Sequence, residues 1–149
     1  MKIFVGQIYI KPGVSFPFSL RFQKWLGDAL TQRVVASELF RNAYADNFRL
    51  GLRISAKDDI DQTEIKGPTV FKRDKSVEFT IFLPHRICNY NEPECSLGVL
   101  RLILRSAIRV LEGLGLDAAK VKNDLAALED DFVSTPGLLE APKSSAPRD

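Results

Sequence analysis

The sequence predicts an α+β domain: about four mainly antiparallel strands with helices packed on one face, in the order β-α-α-β-β-β-α-α. Three observations predict it. Residues 66–85 (KGPTVFKRDKSVEFTIFLPH) hold two extended apolar runs around a charged break, the pattern of a hairpin. Residues 91–114 carry apolar side chains at helical spacing over most of their circumference. Strand-like and helical runs precede the hairpin, and only helical runs follow it.

Each element has its own justification. Residues 2–10 (KIFVGQIYI) are rich in strand formers, with Gly6 as a candidate bulge. Lys11-Pro12-Gly13 is a turn. Phe18, Phe22, Trp25, Leu26, Ala29 and Leu30 then fall on one helical stripe, with Ser15 as the expected N-cap and Pro17 in the first turn. On that stripe Trp25 reads as core packing rather than a stacking platform. Ala36, Leu39, Phe40, Ala43 and Tyr44 predict a second, shorter helix over 36–44. Phe48, Leu50, Leu52 and Ile54 alternate with Arg49, Gly51, Arg53 and Ser55, which predicts a half-buried strand over 48–56.

The hairpin pairs 68–73 with 77–84. Val77, Phe79, Ile81 and Leu83 point to one face; Glu78, Thr80 and Phe82 point to the other. Phe82 predicts that this second face is covered near the strand end. Gly67-Pro68 and Leu83-Pro84 bracket the unit, because proline lacks the N–H that a ladder needs. Asn91, Pro93 and Glu94 form a capping box for a long helix that ends at Gly113 or Gly115. Asp117 caps a last helix with Val121, Leu125, Leu128 and Phe132 on one face. The expected core includes Trp25, Leu52, Phe79, Ile81, Leu104 and Ile108. Residues 1–133 form the single domain, and 134–149 read as a flexible tail in which Leu138 and Leu139 are the docking residues.

The chain has 149 residues, 45% of them hydrophobic, which supports one globular domain with a real core. A formal charge of +2 makes no general case for nucleic acid or an acidic membrane. Charge is uneven, however: residues 1–57 carry nine Lys and Arg against three Asp and Glu, and residues 117–149 carry four against seven. The start shows no secretory pattern. The longest apolar stretch, 97–114, is interrupted by Arg101, Arg105 and Arg109, so it makes a poor membrane span. Two cysteines do not make a disulfide framework, and a cytoplasmic protein with reduced thiols is the expectation.

Few side chains form a chemical constellation. His85, Cys88 and Cys95 are neighbouring soft ligands, with Glu92 or Glu94 as a fourth, but three such ligands do not close a structural zinc site. No metal or other cofactor is expected. Asp58, Asp59, Asp61 and Glu64 have the wrong spacing for an EF-hand loop and read as a solvated loop or a protein contact. Lys72, Arg73 and Lys75 read as a solvated hairpin tip, with an anion contact as the functional alternative. Arg101, Arg105 and Arg109 recur every fourth residue and form a helix ridge. Such a ridge binds phosphate or pairs with the acidic residues of the last helix, Asp124, Glu129, Asp130 and Asp131, and the pairing is the favoured reading. Glycine-rich phosphate loops and the G-x-S-x-G elbow do not occur.

Two stretches, GVSFPFSLRFQKWL and EIKGPTVFKRDKSVEFTIFLP, resemble the small cytosolic immunity proteins of bacterial polymorphic toxin systems. The resemblance implies a compact α+β protein that binds and inactivates a cognate toxin domain and has no catalysis of its own. It transfers no binding residues. On charge alone, the candidate partner-binding residues are Asp58, Asp59, Asp61 and Glu64, because toxin sites that attract anionic substrates are basic. Lys72, Arg73 and Lys75 are the second choice, for an acidic toxin. The alternative function is a small nucleic-acid- or phosphate-binding protein that uses the Arg101, Arg105 and Arg109 ridge. The toxin and the oligomeric state are left open.

Overall fold

The computed structural model describes residues 4–13, 19–41, 47–84, 93–135 and 138. The elements run β1 (Phe4–Pro12), α1 (Leu20–Arg41), β2 (Asn47–Lys57), β3 (Glu64–Phe71), β4 (Ser76–Pro84), α2 (Pro93–Gly113), α3 (Ala119–Asn123) and α4 (Leu125–Ser134). The class is α+β, as the sequence predicts, with one four-stranded sheet in the order β1-β2-β4-β3.

Strand direction differs from the expectation of a mainly antiparallel sheet. β1 pairs parallel to β2, β2 pairs parallel to β4, and only the β3–β4 hairpin is antiparallel. The first parallel pair follows from α1, which carries the chain between two strands that run the same way. The second follows from strand order. Residues 58–63 are short enough for a hairpin, but β3 lies two positions from β2 and β4 fills the gap. Two strand spacings are about 10 Å, well within the reach of six residues.

The first predicted helix pair is one helix. α1 runs unbroken through residues expected to separate two segments, and Ala43 and Tyr44 of the expected second helix lie outside the described residues. Its N-terminus is held by Ser19, whose Oγ accepts the Phe22 N–H at 3.3 Å. That is the role assigned from sequence to Ser15, which lies outside the described residues. Phe22, Leu26, Ala29, Leu30 and Val34 form its buried stripe. Thr31 ties α1 to β1: its Oγ1 accepts the Ile8 N–H at 3.0 Å and lies 2.9 Å from the Ile8 carbonyl.

α2 ends where glycine permits. Gly115 has φ +78°, the Leu116 N–H bonds to the Leu111 carbonyl at 2.9 Å, and the Gly115 N–H bonds to Glu112 at 3.0 Å. These two bonds satisfy the last carbonyls of the helix. Asp117 Oδ1 accepts the Ala119 N–H at 2.9 Å, and the expected last helix is divided at Asp124 into α3 and α4. Val121, Leu128 and Phe132 are buried all the same.

The core lies between the sheet and the helices. Val5, Ile8 and Ile10 from β1, Leu50, Leu52 and Ile54 from β2, and Val77, Ile81 and Leu83 from β4 meet Val99, Leu100, Ile103, Leu104, Ala107, Ile108 and Leu111 of α2. Leu52, Ile81, Leu104 and Ile108 are buried as expected, whereas Trp25 and Phe79 are only partly buried at its margin. Leu138 is buried in the same core, so the docking expected for it is present.

Candidate functional site

The two charged segments that the sequence presents as alternatives occupy opposite ends of one exposed edge strand. β3 is the sheet's outer strand beside β4, and its residues from Lys66 to Phe71 are exposed. The acidic loop with Asp58, Asp59 and Asp61 enters β3 at Glu64. The tip with Lys72, Arg73 and Lys75 leaves it after Phe71. At ~3.3 Å per residue the ends stand about 20–25 Å apart. Between them Val70 and Phe71 are 37% and 41% exposed, two adjacent apolar side chains on the open strand.

Backbone geometry shapes both ends. Asp59 and Lys75 have positive φ, 67° and 50°, and each closes its turn in the left-handed region. The Lys75 carbonyl accepts the Arg49 N–H at 2.8 Å and so anchors the tip to β2. Glu64 pairs with Lys57 at 3.5 Å, which engages the last carboxylate of the acidic loop. Pro68 lies within β3 rather than at its start, where the sequence places it. The β3–β4 register shifts between Lys66 and Thr69 beside it, and an edge strand tolerates proline there.

The sheet face opposite the core carries an ion-pair lattice. Glu78 receives Lys11 at 2.7 Å and Arg53 at 3.7 Å. Arg49 sits over the Tyr9 ring at 5.5 Å, and Lys57 and Lys66 sit over Phe82 at 5.2 and 5.5 Å. Phe82 is thus covered, as expected, but by lysine ammonium groups. Much of the basic excess of residues 1–57 is spent on this face.

The arginine ridge of α2 is divided. Arg101 Nη2 donates to Glu129 Oε1 at 2.9 Å, and this hydrogen bond and the carboxylate's charge raise the Arg101 pKa. That is the pairing expected for the whole ridge. Arg105 and Arg109 are exposed and have no ion pair or hydrogen bond among the described residues. Instead they line a cleft of about 350 Å³ with Asp61, Gln62, Thr63, Leu102 and Ser106. Arg109 also lines a second cleft of about 330 Å³ with Ile65, Pro68, Phe79, Val110 and Leu114. The sequence contains the ridge, but nothing in it indicates that the strand entry at Thr63 faces Arg105.

His85 and Cys88 lie outside the described residues, as does the Cys95 side chain. Among the described residues no three His, Cys, Asp or Glu side chains stand together as a metal site. No helix among them is long and apolar enough to cross a membrane. No protein-family model matches the chain, and no curated protein or solved structure matches it either.

Proposed function

We propose that this protein is an immunity protein of the cytoplasm, which binds a cognate toxin domain along the β3 edge and blocks it without chemistry of its own. The observation that carries the reading is the β3 edge itself: an exposed strand with apolar Val70 and Phe71, an acidic loop at one end and a basic tip at the other. An open edge is a template for another chain, since its unpaired N–H and C=O groups supply affinity without dedicated side chains. The unlike charges at its two ends orient a partner of complementary polarity and speed its arrival. Asp58, Asp59 and Asp61 meet the basic part of that partner, and Lys72, Arg73 and Lys75 meet its acidic part.

The test is a pull-down from the native cell, combined with expression of the neighbouring gene's product in cells that lack this protein. Retention of that product, and death of those cells relieved by this protein, are the expected results. Failure to retain a partner together with a harmless neighbour overturns the proposal.

A further inference from the structure

Two clefts lie beside α2 and share Arg109. Along them the helix supplies Leu102, Arg105, Ser106 and Arg109, then Val110, Gly113 and Leu114. The opposite wall advances in step, from Asp61, Gln62 and Thr63 to Ile65 and Pro68. Arg109 belongs to both halves. One half is therefore cationic and polar, and the other is apolar.

The polar half contains unused hydrogen-bonding capacity. Arg105 and Arg109 lie one helical turn apart on the same side and carry no pairing among the described residues, while Arg101, a turn earlier, is neutralised by Glu129. Thr63 Oγ1 is buried and has no hydrogen-bond partner among the described residues. A buried hydroxyl without a partner is uncommon and points to a missing acceptor or donor. Two guanidinium forks and a hydroxyl suit the oxygens of a phosphate group, which accept from several directions at once. Asp61 lines the same half and opposes an anion, so the site holds one such group and not a run of them.

We infer that the two clefts act together as one groove that binds a small phosphate monoester, its phosphate on Arg105 and Arg109, with the Thr63 hydroxyl rotated to meet it, and its apolar body against Ile65, Phe79, Val110 and Leu114. The site shares Asp61 with the acidic loop, and Ile65 and Pro68 with β3, but it does not rest on toxin binding, and its test needs no partner.

Titration calorimetry at low ionic strength tests it, with inorganic phosphate and phenyl phosphate as probes and the full chain as receptor. Phenyl phosphate is expected to bind one to one, severalfold tighter than inorganic phosphate because its ring reaches the apolar half. Arg105→Gln and Arg109→Gln should each weaken it about tenfold or more, the scale of a charge-assisted hydrogen bond. Arg101→Gln and Arg73→Gln should change it by less than about twofold, because surface charge at a distance is screened. Thr63→Val should weaken binding without lowering the melting temperature, and Asp61→Asn should strengthen binding. All these variants are checked for folding by circular dichroism. Absence of saturable binding, or equal weakening by Arg101→Gln, overturns the site. Equal affinity for the two probes removes the apolar half from it. Competition by an oligonucleotide without a terminal phosphate overturns the monoester assignment in favour of a nucleic-acid surface.

Discussion

Trp25 shows how a single side chain departs from its pattern. It falls on the apolar stripe of α1, but its ring stops at the core margin, 5.9 Å from Phe22 and 5.8 Å from Phe132. Its Nε1–H donates to Asp131 Oδ2 of α4 near the surface. An indole N–H needs a partner, and Asp131 supplies it at the core margin. Ile81 has no such demand and is fully buried at the centre of β4. Ile81→Ala is expected to cost about 2–5 kcal/mol in urea unfolding, from lost burial and the cavity left behind. Gly98 lies inside α2, and among the described residues a methyl group there meets nothing within 4 Å. Gly98→Ala should therefore stabilise the protein by about 0.5–1 kcal/mol, because alanine loses less backbone freedom in a helix. Gly67 is the opposite case: its φ is +132° and an added Cβ lies 2.8 Å from the Glu78 carbonyl oxygen, so Gly67→Ala should destabilise.

At the scale of the element, β3 is half protected. Lys66, Pro68 and the register shift between Lys66 and Thr69 blunt its first half, the usual defences of an edge. Val70 and Phe71 leave the second half apolar and open. Natural edges of this kind attract other chains, and this is the edge proposed for the partner. Replacing Val70 and Phe71 with lysine should abolish capture of the partner while leaving the melting temperature within a few degrees, since both side chains are exposed. Capture by the double variant at the wild-type level clears the strand of that role.

For the whole molecule, the decisive property is where charge sits. The net charge of +2 conceals a basic sheet face whose cations are held by Glu78, Glu64, Tyr9 and Phe82, and an acidic loop beside the β3 edge. Long-range attraction acts on association more than on the docked contacts. Changing Asp58, Asp59 and Asp61 to Asn should therefore slow partner association and flatten its salt dependence, measured by stopped flow, with the fold intact. An unchanged rate removes the loop from the interface. The same distribution predicts no retention of a mixed-sequence oligonucleotide with a 5′-hydroxyl in filter binding at low or moderate salt. Arg101 is paired and Asp61 lies beside Arg105, so the ridge offers no continuous track for a phosphodiester chain.

Local chemistry alone determined much of this molecule. Alternation places Leu50, Leu52 and Ile54 inward, the turn residues between Phe71 and Ser76 close the hairpin, and Gly115 ends α2. These follow from neighbours a few positions apart, which is the range over which side-chain period and turn geometry act. Three outcomes needed the folded chain. The strand pattern is the same for parallel and antiparallel pairing, so the place of β4 between β2 and β3 came from packing. The continuity of α1 came from burial of its stripe against β1 and its tertiary hydrogen bonds, which outweigh local signals for a break. The β3 edge is open only because β4 lies between β2 and β3, and the groove at Arg105 and Thr63 joins residues about forty positions apart. No local period encodes such a meeting; it exists only once the hairpin has been laid beside α2.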